Sequence, residues 1–338
     1  MMRSSRLWRV LGALLLIVTC AARAQQASPY AIDIPPWFAN TFLDLREDIA
    51  DAAGDGKRVM AYFGQDGCPY CTRLMVDNFS QRDIVERMHK SFVAIALNIW
   101  GDRETTWLDG AVRTEKALAR ALGVQFTPTL LFFDERGNVV ARLNGYYPPG
   151  RFAAVLDYVA SRGESREPLA AYLARTVHES AEARLHDEPF FMQPPYDLRR
   201  TNGRPLAVLF ETPHCAACDE LHREAFQRAD VRAQIARFDV ARFGLAARTQ
   251  LVTPDGVRIA ANEWARKLGI AYTPSIVLFD AEGREALRLD AYLRPFHVAS
   301  ALDYVGGGAS RSEPSFQRFV QARAERLRSE GQRVDLWQ

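Results

Sequence analysis

No sign of charge predominates in this sequence: 43 Lys and Arg stand against 41 Asp and Glu, a formal net charge of +2. That balance gives neither a nucleic acid nor an anionic membrane a field to bind to. Cysteine is scarce as well, five in 338 residues, which excludes a small scaffold held together by scattered disulfides. Beyond one stretch near the N-terminus there is no long apolar run, and the mature chain is expected to be soluble. What remains is ordinary globular composition, 48% hydrophobic and 25% charged. The length suffices for two domains with full cores. Function has to be sought in sites, not in bulk charge.

The N-terminal stretch reads as an export signal. Arg3, Arg6 and Arg9 precede an apolar run from Val10 to Val18, and "ARA" at 22–24 has the small-x-small pattern of a cleavage site. Residues 1–24 are therefore expected to be removed near Ala24, leaving a periplasmic or secreted protein. A competing reading makes Cys20 a lipid-modified cysteine, but Thr19 is a poor residue to precede it. Export would place the remaining thiols in an oxidising compartment.

Four cysteines remain, in two CxxC pairs: Cys68 with Cys71, and Cys215 with Cys218. A loop that short constrains the unfolded chain little, so the pairs are placed for chemistry and not as staples. Their surroundings repeat. "LDYV" at 156–159 returns at 302–305, and "ALGVQFTPTLLFFDERG" at 121–137 matches "KLGIAYTPSIVLFDAEG" at 267–283, both at an offset of 146. The cysteine pairs are offset by 147, so a single one-residue gap reconciles the halves. The chain is a tandem duplication. We read domains over 35–167 and 205–313, a linker over 168–204 with a helical first part, and a charged helical tail over 314–338.

Each copy reads as an α/β unit. "VMAYF" (59–63) suits a buried strand, and the CxxC segment after it starts a helix. A second helix and the buried strand "FVAIALNI" follow, then a helix stopped at Gly123, a hairpin turning at Arg136-Gly137-Asn138, and a closing helix. With "GCPYC", "NIWGDRE" (98–104), the Thr-Pro segments and "AYLRPFHV" (291–298), both copies resemble the thioredoxin superfamily, specifically periplasmic thioredoxin-related proteins of the SoxW type. The resemblance implies two tandem thioredoxin-like domains, each a central mixed sheet flanked by helices. It also implies a thiol–disulfide oxidoreductase that exchanges disulfides with protein thiols and an upstream electron donor or acceptor. No cofactor is expected.

Exchange needs an attacking thiolate and a second thiol near enough to release the mixed disulfide. A helix N-terminus favours a thiolate through its unpaired N–H groups and its dipole. Cys68 is accordingly the expected nucleophile and Cys71 the resolving thiol, with Pro69 at the first helical position and Tyr70 exposed to partners. The resemblance makes Thr127-Pro128 and Thr273-Pro274 the cis-proline loops that face the two sites and bind substrate. The second site differs. His214 precedes Cys215, and Asp219 and Glu220 follow Cys218 where the first copy has Thr72 and Arg73. First-turn acids oppose a thiolate there, while a partly protonated His214 would favour one and so modulate the site; Cys68 is expected to be the more acidic nucleophile. Thioredoxins commonly carry a buried acid six residues before the first cysteine. Here those positions hold Tyr62 and Leu209.

Two rival readings concern the second copy. Cys215, Cys218 and His222 form C-x2-C-x3-H, which would suit copper or zinc but lacks an evident fourth ligand. Alternatively, the second copy binds clients without redox activity. His89, His178, His186 and His297 read as surface or packing residues, and Trp100, Trp107, Tyr146 and Tyr147 as packing. The residues between the cysteines do not fix the direction of electron flow.

Overall fold

The computed structural model describes residues 32–176, 184–199, 202–213, 215–270, 272–290 and 293–334. The expected leader, Cys20, His178 and His214 lie outside the described residues. The first copy opens with α1 (Leu45–Gly54), β1 (Arg58–Gly64) and α2 (Pro69–Arg73), which runs on as a π-helical turn over Leu74–Asn78. Then come α3 (Arg82–Ser91), β2 (Phe92–Asn98), a hairpin of β3 (Glu104–Thr106) and β4 (Val112–Thr114), and α4 (Glu115–Ala121). The hairpin of β5 (Thr129–Phe133) and β6 (Val139–Asn144) leads to α5 (Pro149–Ala160) and α6 (Leu169–Thr176).

Burial explains the order of the sheet. β1 is buried along its whole length and apolar after Arg58, which suits an inner strand, and it lies between β2 and β5 in the order β2-β1-β5-β6. Its side chains alternate between the two faces of the sheet. Met60 and Tyr62 join one core with Leu130 and Phe132, while Val59, Ala61 and Phe63 join the other with Leu131 and Phe133. β1 and β2 are parallel and therefore need a crossover, which α2 and α3 provide. The loop from β1 into that crossover carries the first cysteine pair.

The second copy repeats the plan. After β7 (Tyr196–Asp197) come β8 (Leu206–Glu211), α7 (Ala216–Glu220) with its π-helical turn Leu221–Ala225, α8 (Ala229–Ile235) and β9 (Asp239–Gly244). The hairpin of β10 (Gln250–Val252) and β11 (Arg258–Ala260) precedes α9 (Ala261–Lys267), β12 (Ser275–Phe279), β13 (Glu285–Leu289), α10 (Pro295–Gly306) and α11 (Phe316–Ser329). The sheet order is β13-β12-β8-β9, the same arrangement of equivalent strands. The connector between the copies docks on the second one. Met192 N–H donates to the Val240 carbonyl at 2.8 Å, and β7 pairs in parallel with β10.

The two copies meet as a twofold dimer would. Phe126, just before Thr127-Pro128, packs into the second copy's core, and its counterpart Tyr272 packs into the first copy's core. Burying each aromatic contributes on the order of 2–3 kcal/mol. Tyr147 meets Tyr272 with ring centroids 4.9 Å apart. Asn144 Nδ2 donates to Asp290 Oδ1 at 2.9 Å, and these two residues also stand at equivalent positions. Among the described residues, no helix is long and apolar enough to cross a membrane.

Candidate functional site

Cys68 caps α2, with Pro69 in its first turn, and Cys71 N–H points at Cys68 Sγ at 3.0 Å. The two cysteines are joined in a disulfide with Cα atoms 5.2 Å apart. Thr127-Pro128 is cis, and Cys68 Sγ lies 3.3 Å from the Thr127 carbonyl oxygen. A donor chain ends on the same sulfur. Gln65 Nε2 donates to Thr127 Oγ1 at 3.1 Å, and Thr127 Oγ1 donates to Cys68 Sγ at 3.3 Å. In the reduced protein such a donor favours the thiolate. The second pair has the same frame. Cys215 caps α7, is disulfide-bonded to Cys218, and lies 3.6 Å from the carbonyl oxygen before the cis Thr273-Pro274 bond.

The sequence profile of the thioredoxin-like domain matches residues 45–160 and again 197–306. The chain belongs to the thioredoxin-like family. No curated protein matches it. Among solved structures, it is similar to a thioredoxin-fold protein from Helicobacter pylori, at 25% identity over 36% of this chain and 85% of that one, with a TM-score of 0.32. A thioredoxin from Thermus thermophilus is 28% identical over 36% and 86% of the two chains, with a TM-score of 0.29. The C-terminal domain of Neisseria meningitidis DsbD in its oxidised form is 18% identical over 38% and 98%, with a TM-score of 0.26. Two thioredoxin-like domains, each with a disulfide-bonded CxxC at a helix start, make the protein a thiol–disulfide oxidoreductase.

Around each thioredoxin-like pair the structure departs from several expectations. Tyr70 is not exposed but 3% accessible, clamped between the copies. Its hydroxyl accepts from Arg294 N–H at 2.7 Å and meets His297 Nδ1 at 3.2 Å. Arg294 then reaches Glu220 and Glu224 of the second copy at 2.6 and 3.0 Å. His297 is thus a joint residue and not a surface one. Burial holds its pKa down to about 4, so a neutral ring faces the phenol at pH 7. Burial also pushes the Tyr70 phenol well above its ordinary value.

The second site rests on a buried cluster that was not anticipated. His222 is 2% exposed and bonds Glu211 through Nε2 and Glu188 through Nδ1, each at 2.9 Å. Both nitrogens donate only in the imidazolium. Burial opposes that charge, but the hydrogen bonds and charges of Glu211 and Glu188 overcome it and raise the His222 pKa. Both ring nitrogens of His222 are therefore engaged by carboxylates, and neither is left to join the two cysteines as a ligand. Among the described residues no group of His, Cys, Asp and Glu could hold a metal ion. His186, read as surface or packing, stacks on His222 with centroids 4.4 Å apart and pairs with Asp219 at 2.7 Å. Asp219 and Glu220 are thus both engaged by side-chain partners, and the Arg294 guanidinium offsets the first-turn charge of Glu220.

Trp107, Tyr146 and Tyr147 stand as packing, whereas Trp100 is exposed at the edge of the first site. Trp107 packs on Phe133, Tyr146 donates to Asp77, and Trp100 Nε1 donates to Gln65 Oε1 at 2.6 Å. His89 packs against Trp37.

Proposed function

We propose that the protein is an exported oxidoreductase of the SoxW type that exchanges disulfides with protein partners through both of its cysteine pairs. Cys68 and Cys215 are the nucleophiles, and Cys71 and Cys218 resolve. Thr127-Pro128 and Thr273-Pro274 present backbone to the substrate. The observation that carries this reading is the shared frame: in each copy the first sulfur caps a helix and faces the carbonyl before a cis proline, 3.3 Å away in one and 3.6 Å in the other. The helix terminus lowers the cost of the thiolate. When a reduced pair meets a partner disulfide, the first thiolate bonds to one partner sulfur and the other leaves as a thiolate. The resolving thiolate then displaces the first partner sulfur. Two electrons have passed to the partner, and an upstream dithiol must restore the pair. With these roles exchanged the same steps oxidise a partner dithiol.

Reduction of insulin by dithiothreitol in the presence of the chain tests the reading. The variant carrying both Cys68→Ser and Cys215→Ser is expected to lose all acceleration, and Cys71→Ser to accumulate mixed disulfides with partner proteins. Full acceleration by the double variant would remove the nucleophile assignment.

A further inference from the structure

Helix α11 roofs the first cysteine pair, and this goes beyond anything the fold alone requires. Gln317 accepts from Gln65 Nε2 and donates to the Gln125 carbonyl, both at 2.8 Å. Phe316 N–H reaches Gln125 Oε1 at 3.3 Å, and its ring packs against Phe126 with centroids 5.5 Å apart. The residues just before the cis proline, Gln125 and Phe126, are thus covered by the chain's own helix. Cys68 is left 4% exposed.

Between α11 and the cysteines lies a cavity of about 120 Å³. At roughly 10–15 Å³ per water-sized group it admits on the order of ten such groups, the scale of a small organic disulfide. Its walls combine Cys68 and Gln65 with Gln321, Glu325 and Arg328 of α11. The last two stand out. Nearby Arg318 pairs with Glu313, and Arg323 and Arg326 pair with Asp303. Glu325 and Arg328 are exposed, lie one turn apart, and make no ion pair among the described residues. A ligand with one ammonium and one carboxylate would complement both charges.

We propose that this cavity binds a low-molecular-weight disulfide bearing both ammonium and carboxylate groups, of the cystine class, and presents it to the Cys68–Cys71 pair. The proposal rests on the exchange reading above and adds a small-molecule substrate at the first site. In the reduced protein the Cys68 thiolate attacks one ligand sulfur, the ligand S–S bond breaks, and one product thiol leaves. The Cys71 thiolate then attacks Cys68 sulfur, closing the Cys68–Cys71 bond and releasing the second product. Two electrons pass to the ligand, and the two cysteine protons end on the two product thiols.

The test uses the full chain with Cys215→Ser and Cys218→Ser, reduced and mixed with one of four small disulfides. These are cystine, cystamine (ammonium only), dithiodiglycolate (carboxylate only) and uncharged hydroxyethyl disulfide. Each rate is divided by that of the same disulfide with dithiothreitol, which removes differences in leaving-group acidity. Cystine is expected to exceed hydroxyethyl disulfide about tenfold. Arg328→Gln should slow cystine and dithiodiglycolate only, and Glu325→Gln should slow cystine and cystamine only. Equal normalised rates, or rates unmoved by either variant, would each overturn the proposal. Failure of the reduced pair to react with any small disulfide or with insulin would instead bring down the exchange reading itself.

Discussion

Beneath their cysteine pairs the two copies fill equivalent space by opposite means. In the first copy Tyr62 lies in the core and its hydroxyl reaches over Gly64, where a Cβ would come within 2.0 Å of the oxygen. In the second copy the equivalents are Leu209 and Glu211, and the carboxylate at the second position turns inward to His222. The residue matching His222 in the first copy is Met75. One site therefore has a neutral phenol whose oxygen finds no hydrogen-bond partner among the described residues, and the other a buried imidazolium held between two carboxylates. The frame that presents the sulfur is common to both. The charge beneath it is not, and the copies have diverged at the position six residues before the first cysteine.

The largest effect should come from taking the second cluster apart. His222→Leu leaves Glu211 and Glu188 buried without their cation, which should cost about 3–5 kcal/mol. Met75→Leu, the matching change in the first copy, should cost under ~1.5 kcal/mol as a volume-conserving swap. Urea unfolding of both variants at pH 6 reads the contrast, and equal losses would show that the cluster carries no special weight. pH 6 is chosen because a raised histidine pKa stabilises the fold fully below the unfolded value, and that stabilisation fades as pH rises through the folded value.

His297 at the joint has the opposite slope. Its folded pKa is held down to about 4, so between the unfolded value near 6.5 and 4 only the opened or unfolded chain takes up the proton. Stability is present above that window and falls as the pH falls through it, by about 3 kcal/mol. The charge would face Tyr70 from α2, with Arg294 and Phe296 alongside on its own segment. Urea midpoints at pH 7 and pH 4.5 should therefore separate more in the parent chain than in His297→Phe. Identical separations would place the acid sensitivity elsewhere.

Much of the frame was legible in the sequence, for physical reasons. A run such as "VMAYF" can be buried on both faces only as an inner strand, and a repeat at a fixed offset can only be a duplicated unit. The joint was not legible. Phe126 and Tyr272 look like residues of their own cores, and only the packing shows that each crosses into the other copy. Tyr70 was misread because a residue between two exchanging cysteines has reason to meet partners, whereas here the second copy covers it. One signal could have been used: Glu211 ends an apolar strand where its twin ends in Gly64. A carboxylate in that place needs a buried partner, and His222, one helical turn beyond Cys218, was the candidate at hand.

The smallest expected effect bears most directly on how the two copies diverged. Gly64→Ala puts a methyl group against the Tyr62 ring and hydroxyl. The aromatic cannot swing away from a site buried in the core, so overpacking should cost about 1–3 kcal/mol. In a Tyr62→Leu background, which takes the second copy's residue at that position, the same substitution should cost almost nothing. The coupling in this double-mutant cycle should then be of the size of the single loss. Additive losses would mean that Tyr62 and Gly64 do not exclude one another, and that the Leu209 and Glu211 pair arose for a reason unconnected with space. A strong coupling would mean that the second copy could acquire its carboxylate only once the tyrosine was gone.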